Sequence, residues 1–201
     1  MTLRIVGAGL PRTGTSSLRH AIEHLLGAPC NHMSAIPGHP FDLGPGWDLA
    51  LTGGKVDWNA LLGGFVGAVD WPASLFWREL ASANPDALVL LSLREDESAR
   101  SWLESVEATF LPMARMSAAP EWKEGRGLVR CLERFAGPRW DDAETLMAAH
   151  DRHVAAVRAA IPRSRLLEWT ASEGWAPLCR ALGLPIPSIP FPWRSRREEW
   201  K

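Results

Sequence analysis

Nine residues near the start of the chain, Gly9-Leu-Pro-Arg-Thr-Gly-Thr-Ser-Ser17, constrain its fold more than any other stretch. They follow a short β-rich run, Leu3 to Ala8 (LRIVGA). They lead into Ser16 to Leu26, where Leu18, Ile22, Leu25 and Leu26 recur at helical spacing before Gly27 stops the helix. Strand, glycine loop and helix in that order form the opening unit of a parallel α/β fold. Glycines let successive backbone N–H groups turn toward one anion, and the following helix adds free N–H groups and the positive end of its dipole. The segment is therefore expected to hold phosphate or sulfate.

The spacing matches a Walker A motif, G-x-x-x-x-G-K-[ST], except that Thr15 stands where the lysine would be. ATP and GTP hydrolases use that lysine on the β- and γ-phosphates. Here Arg12 brings the cation earlier in the loop, with a planar fork suited to an oxyanion, and Thr13, Thr15, Ser16 and Ser17 offer hydroxyl donors. A dinucleotide fingerprint fits less well, because the third glycine of G-x-G-x-x-G would fall on Arg12.

The rest of the chain agrees with one α/β domain, residues 1–201, with a central parallel sheet flanked by helices. Ala87 to Leu93 (ALVLLSL) is a continuous apolar run suited to a central strand, with shorter strands at Phe65 to Val69 and Arg165 to Trp169. Helical patterns cover Val56 to Gly64, Ala73 to Ala83 behind Pro72, Asp96 to Phe110, Arg126 to Phe135, Asp141 to Ala160, and Trp175 to Leu182 before Gly183. Residues 34–54 are rich in Gly and Pro and read as a long surface connection of the kind that often serves as a lid. Residues 185–201 read as an extended basic tail.

A formal net charge of −1 excludes the broad basic footprint of a nucleic-acid binder. Cys30, Cys131 and Cys179 are too scattered for a disulfide framework or a zinc site, which suits a reducing compartment. No run approaches the roughly 20 apolar residues of a membrane span. The expectation is a cytoplasmic protein with a small-molecule partner, no nucleic acid and no membrane. Oligomeric state is not legible.

PRTGTSSL resembles the 5′-phosphosulfate loop of the P-loop sulfotransferase superfamily, whose members carry P-[KR]-[ST]-G-T-[ST]. GAPCNHM (27–33), VDWPASLFWREL (69–80), PDALVLLSLRED (85–96) and EGWAPLCRALGLPIPSIPFP (173–192) resemble, in the same order, stretches of a bacterial sulfotransferase-like branch. The resemblance implies a single P-loop domain. It also implies 3′-phosphoadenosine 5′-phosphosulfate (PAPS) as sulfonate donor, 3′-phosphoadenosine 5′-phosphate (PAP) as product, and an acceptor hydroxyl or amine. Arg12, Thr13, Gly14, Thr15, Ser16 and Ser17 would hold the phosphosulfate by electrostatic preorganisation, with no metal required. The superfamily binds the 3′-phosphate with an Arg at the end of a central strand and a Ser on the next helix. Arg94 fits the first, and Ser105 the second, with Ser101 and Ser98 as alternatives. The C-terminal segment that closes over the nucleotide would bring Arg194, Arg196 and Arg197. His32 is the first candidate for the base that removes the acceptor's proton, and Asp70 the second.

Two other patterns are weaker. His20-Ala-Ile-Glu23-His24 matches the inverted zinc-protease signature H-x-x-E-H, yet it sits inside the first helix without a third ligand. His150 and His153, three apart, are expected on the solvated side of their helix. Trp47, Trp58 and Trp71 suggest an apolar acceptor wall. Two further readings share the loop: a nucleotide or small-molecule kinase, which would need the missing lysine and Mg²⁺, and a non-catalytic binder of a 3′-phosphoadenosine nucleotide.

Overall fold

The computed structural model describes residues 2–194. Its centre is a five-stranded sheet in the order β2-β3-β1-β4-β5, parallel throughout. β1 (Ile5–Gly7) lies between β3 (Gly67–Ala68) and β4 (Leu88–Leu93), while β2 (Cys30–Asn31) and β5 (Leu166–Thr170) form the edges. Parallel neighbours need crossover connections, and helices provide them. α1 (Thr15–Leu26) follows β1, and α2 (Pro45–Leu51) and α3 (Trp58–Leu61) precede β3. α4 (Trp77–Ala83) leads to β4. α5 (Ala99–Glu107), α6 (Leu111–Ala118), α7 (Gly127–Ala136) and α8 (Ala143–Ala160) lead to β5, and α9 (Trp175–Leu182) closes the series.

Burial on both faces explains why β1 and β4 read as unbroken apolar runs instead of alternating ones. Val6, Val89, Leu91 and Leu93 point into the larger core, which α4 through α8 cover. Ile5, Leu90 and Trp169 point the other way, into a smaller core closed by α1 and α9 through Leu18, Ile22, Trp175 and Leu178. The chain steps outward from β1 to β2, returns to β3, then crosses β1 to reach β4. That reversal is a topological switch point, and in open α/β sheets ligands bind beyond the carboxyl ends of the strands at such a point.

Three expectations need correction. Residues 34–54 are not a bare surface connection, because α2 forms inside them with Pro45 in its first turn. Leu43, Trp47 and Ala50 bury in the larger core, α2 packs against α7, and Asp48 pairs with Arg130. The helical pattern from Asp96 to Phe110 ends at Glu107, and a separate α6 begins at Leu111. His150 and His153 face inward. His150 lies 5.3 Å from the Trp102 ring, and His153 Nε2 donates to the Ala8 carbonyl at 2.7 Å. α8 is clamped between α5 and α7, so its inner stripe runs through Leu146, His150, Val154 and Val157. No helix among the described residues is long and apolar enough to cross a membrane.

The loop after β1 passes very close to β4. A Cβ on Gly9 would run into the Ser92 side chain and come within 2.7 Å of its backbone nitrogen. Gly27 differs, because its φ of 65° closes α1 in open space. Gly9→Ala is expected to lower unfolding stability by about 2–3 kcal/mol through overpacking. Gly27→Ala should lower it by about 1 kcal/mol through left-handed backbone strain alone. Urea unfolding of both variants checks the order, and equal losses would contradict the close approach at Gly9.

Candidate active site

Four strand ends deliver the candidate residues to one place. The glycine loop follows β1, His32 follows β2 directly, Asp70 lies two residues past β3, and Arg94 follows β4 directly. In the loop, Gly14 (φ 85°) caps α1, and Arg12 (φ 69°) takes a left-handed backbone that L-residues rarely adopt. Several contacts hold that shape. Thr13 Oγ1 donates to the Leu10 carbonyl at 2.6 Å and lies 2.6 Å from Ser92 Oγ, so its hydroxyl faces the sheet. Trp102 Nε1 donates to the Pro11 carbonyl at 2.9 Å, and an Arg94 guanidinium nitrogen donates to the Arg12 carbonyl at 3.3 Å.

Arg12, Gly14, Thr15, Ser16 and Arg194 line a small pocket of about 50 Å³ at the α1 N-terminus. Cations, helix-end N–H groups and hydroxyls together suit one tetrahedral oxyanion. Arg12 Nε also donates to Ser105 Oγ at 3.2 Å. Burial lowers the Arg12 pKa, the Asp70 charge opposes this, and the Arg94 charge adds to it. Ser17 lies behind the pocket, where its Oγ accepts from the Arg194 backbone N–H at 2.9 Å and so fastens the C-terminal segment to α1. Arg196 and Arg197 lie outside the described residues.

Arg94 points along the far side of the loop. Its Nε donates to Ser101 Oγ at 2.9 Å, and that hydroxyl donates to Asp96 at 2.7 Å. A cavity of about 330 Å³ opens there, bounded by Arg12, Gly14, Arg94, Asp96 and Ala171. Arg94 therefore has Ser101 beside it, Ser105 has Arg12, and Ser98 caps α5.

His32 and Asp70 meet on the other side. Both are buried, and His32 Nε2 lies 3.3 Å from Asp70 Oδ2. Thr15 Oγ1 donates to Asp70 Oδ1 at 3.3 Å and is 3.3 Å from His32 Nε2. Asp70 also has a left-handed backbone, with φ 66°. Burial lowers the His32 pKa, with Asp70 opposing, so imidazolium is disfavoured. Both side chains open on a cavity of about 500 Å³ shared with Arg12, Thr15, Ser16 and Arg194.

One wall of that cavity is apolar, and most of it was not legible in the sequence. Trp71 lines it, together with Met33, Phe110, Met113 and Leu128. Trp47 and Trp58 belong instead to a separate cluster around Phe76, with ring separations of 6.1 and 5.1 Å. The i, i+3 spacing of Phe110 and Met113 ahead of an amphipathic run was the available signal. His20 faces Glu23 at 3.5 Å and His24 packs on Trp175 at 5.5 Å. Among the described residues no group of three or more His, Cys, Asp or Glu could hold a metal ion.

Comparison with known proteins gives the family. A family model described as a sulfotransferase domain matches residues 4–200. The chain is also 30% identical over 214 aligned residues to Ava biosynthesis cluster protein M of Aspergillus versicolor, covering 94% of this chain and 80% of that protein. With a match across almost its entire length, the chain belongs to the sulfotransferase-domain family.

Proposed function

We propose that the chain moves a sulfonate group from PAPS to a hydroxyl on a small, largely apolar acceptor. One observation carries this reading. Arg12, Thr15, Ser16 and Arg194 line both the oxyanion pocket and the larger cavity that holds His32 and Asp70. A donor anion in the first and an acceptor in the second would meet across these residues, as in-line displacement needs.

In this reading the 5′-phosphosulfate rests on the Gly14 to Ser16 N-terminus of α1 with Arg12 and Arg194. The acceptor oxygen forms a bond to sulfur while the bond from sulfur to the phosphate oxygen breaks. Charge that builds on the departing phosphate meets fixed N–H groups and guanidinium, which need no reorganisation as the reaction proceeds. Arg94, with Ser101 beside it, is the pair suited to the 3′-phosphate. Trp71, Phe110, Met113 and Leu128 favour an acceptor with an apolar body. A kinase reading is less well supported, because Thr15 occupies the lysine position of the loop.

Calorimetry tests the donor. PAP should bind without Mg²⁺ and more tightly than ATP with Mg²⁺, and the reverse order would sink the proposal. Arg12→Ala should weaken PAP by about 10- to 100-fold through loss of a charged contact to the anion. Arg94→Ala should weaken PAP far more than 5′-AMP, since only PAP carries the 3′-phosphate while the Arg94 contact to the Arg12 carbonyl serves both nucleotides. Equal losses for both nucleotides would remove Arg94 from that role.

Radiolabelled PAPS with a panel of aromatic alcohols, aliphatic alcohols and sugars tests the acceptor. The apolar members should turn over fastest. Met113→Glu should raise their KM by about 10-fold or more, by placing a charge against the apolar body, while PAP affinity stays the same. Preference for sugars would overturn the apolar-acceptor reading.

A further inference from the structure

We infer that the Ser34 backbone amide fixes the tautomer of His32, so that His32 is a positioning residue and Asp70 is the group that takes the acceptor's proton. This rests on the sulfonate-transfer reading above.

One donor beside His32 cannot change its role. A backbone N–H only donates, and that of Ser34 reaches His32 Nδ1 at 3.1 Å. The contact arises because His32 is the N-cap of the short 3₁₀ turn Met33–Ala35, with its ring nitrogen satisfying a free amide of the first turn. Ser34 Oγ lies 2.9 Å from the same nitrogen and can donate to it as well. Nδ1 therefore carries a lone pair, and in the neutral ring the one proton sits on Nε2.

That nitrogen hydrogen-bonds Thr15 Oγ1 at 3.3 Å and lies 3.3 Å from Asp70 Oδ2. Nε2 thus enters the site as a donor. For His32 to accept a proton at Nε2, the ring would first need the other tautomer. That tautomer would set an N–H against the Ser34 amide and a bare lone pair against the Asp70 carboxylate. Accepting at Nδ1 would break the turn's cap and place imidazolium in a buried position.

Asp70 has none of these obstacles. It accepts from Thr15 on Oδ1, His32 Nε2 lies 3.3 Å from Oδ2, and each carboxylate oxygen keeps a lone pair for the proton. It lines the cavity next to Arg12 and Thr15. As the acceptor oxygen bonds to sulfur and the link from sulfur to phosphate breaks, the O–H electron pair stays on the acceptor oxygen. The proton passes to Asp70 and then to water after product leaves. His32 holds the carboxylate in its ionised geometry, as the orienting partner in a proton relay does.

The first test needs no substrate. Long-range ¹H–¹⁵N spectra of the ¹⁵N-labelled chain should show His32 with protonated Nε2 and bare Nδ1 near neutral pH. The opposite tautomer would overturn the proposal. The second compares variants that still melt cooperatively and bind PAP, using labelled PAPS and the fastest acceptor of the panel. A Gln at position 32 can still donate an amide N–H toward Asp70, whereas Ala cannot. His32→Gln should keep kcat within about 10-fold of the unmodified chain, while His32→Ala and Asp70→Asn lose about 100-fold or more with little change in KM. His32→Gln as damaged as His32→Ala, or an active Asp70→Asn, would return the base to His32. An unmodified chain with the expected tautomer and no turnover would sink sulfonate transfer itself, and the catalytic part of Asp70 with it.

Discussion

The site depends on how tightly the loop after β1 lies against β4. Gly9 approaches Ser92 so closely that no side chain fits, and Thr13 and Ser92 share a 2.6 Å hydrogen bond across the same junction. Between these two points, Trp102 holds the Pro11 carbonyl and Arg94 the Arg12 carbonyl. Arg12 can hold its left-handed backbone because the surroundings determine it from both sides.

A second concentration of unfavourable terms surrounds Asp70. It shares the left-handed region with Arg12, and Glu97 is the other non-glycine residue at positive φ among the described residues. Asn31 Oδ1, Trp71 Nε1 and Ser74 Oγ, all near the ends of β2 and β3, are buried without a hydrogen-bond partner in the protein. Each such atom costs about 1–3 kcal/mol. The cores on the two faces of the sheet offset these terms, and the unfavourable geometry is localised where the strand ends bring His32, Asp70 and Thr15 together.

Much of this architecture was legible because the residues that shape it are neighbours in sequence. The glycine loop, β4 and α9 with its Gly183 cap each carry a local pattern: fixed spacing, an unbroken apolar run, or a helical period with a stop. β2 has two residues and no period, so nothing in Cys30-Asn31 marks a strand until β3 pairs with it. α2 was hidden by glycines and prolines that usually mark loops, although Trp47 and Ala50 gain a core from α7. The inward turn of His153 reflects the Ala8 carbonyl, 145 residues earlier, and a single sequence cannot display that partner. The same limit applied at the site. His32 and Asp70 were recognisable as residue types suited to proton transfer, but which His32 nitrogen the Ser34 amide reaches is visible only in the folded chain.

Arg12, Thr15, Ser16 and Arg194 belong to both linked pockets, but the apolar wall of the larger one draws on another part of the chain, since Phe110, Met113 and Leu128 come from the α6 and α7 region. Exchange of these three side chains leaves the β1–β4 junction and its hydrogen bonds untouched. Under the proposed sulfonate transfer, a lineage built on this frame would change its acceptor while keeping its donor. Chemical repertoire would drift through one pair of helices, with the first seventeen residues and β4 held constant.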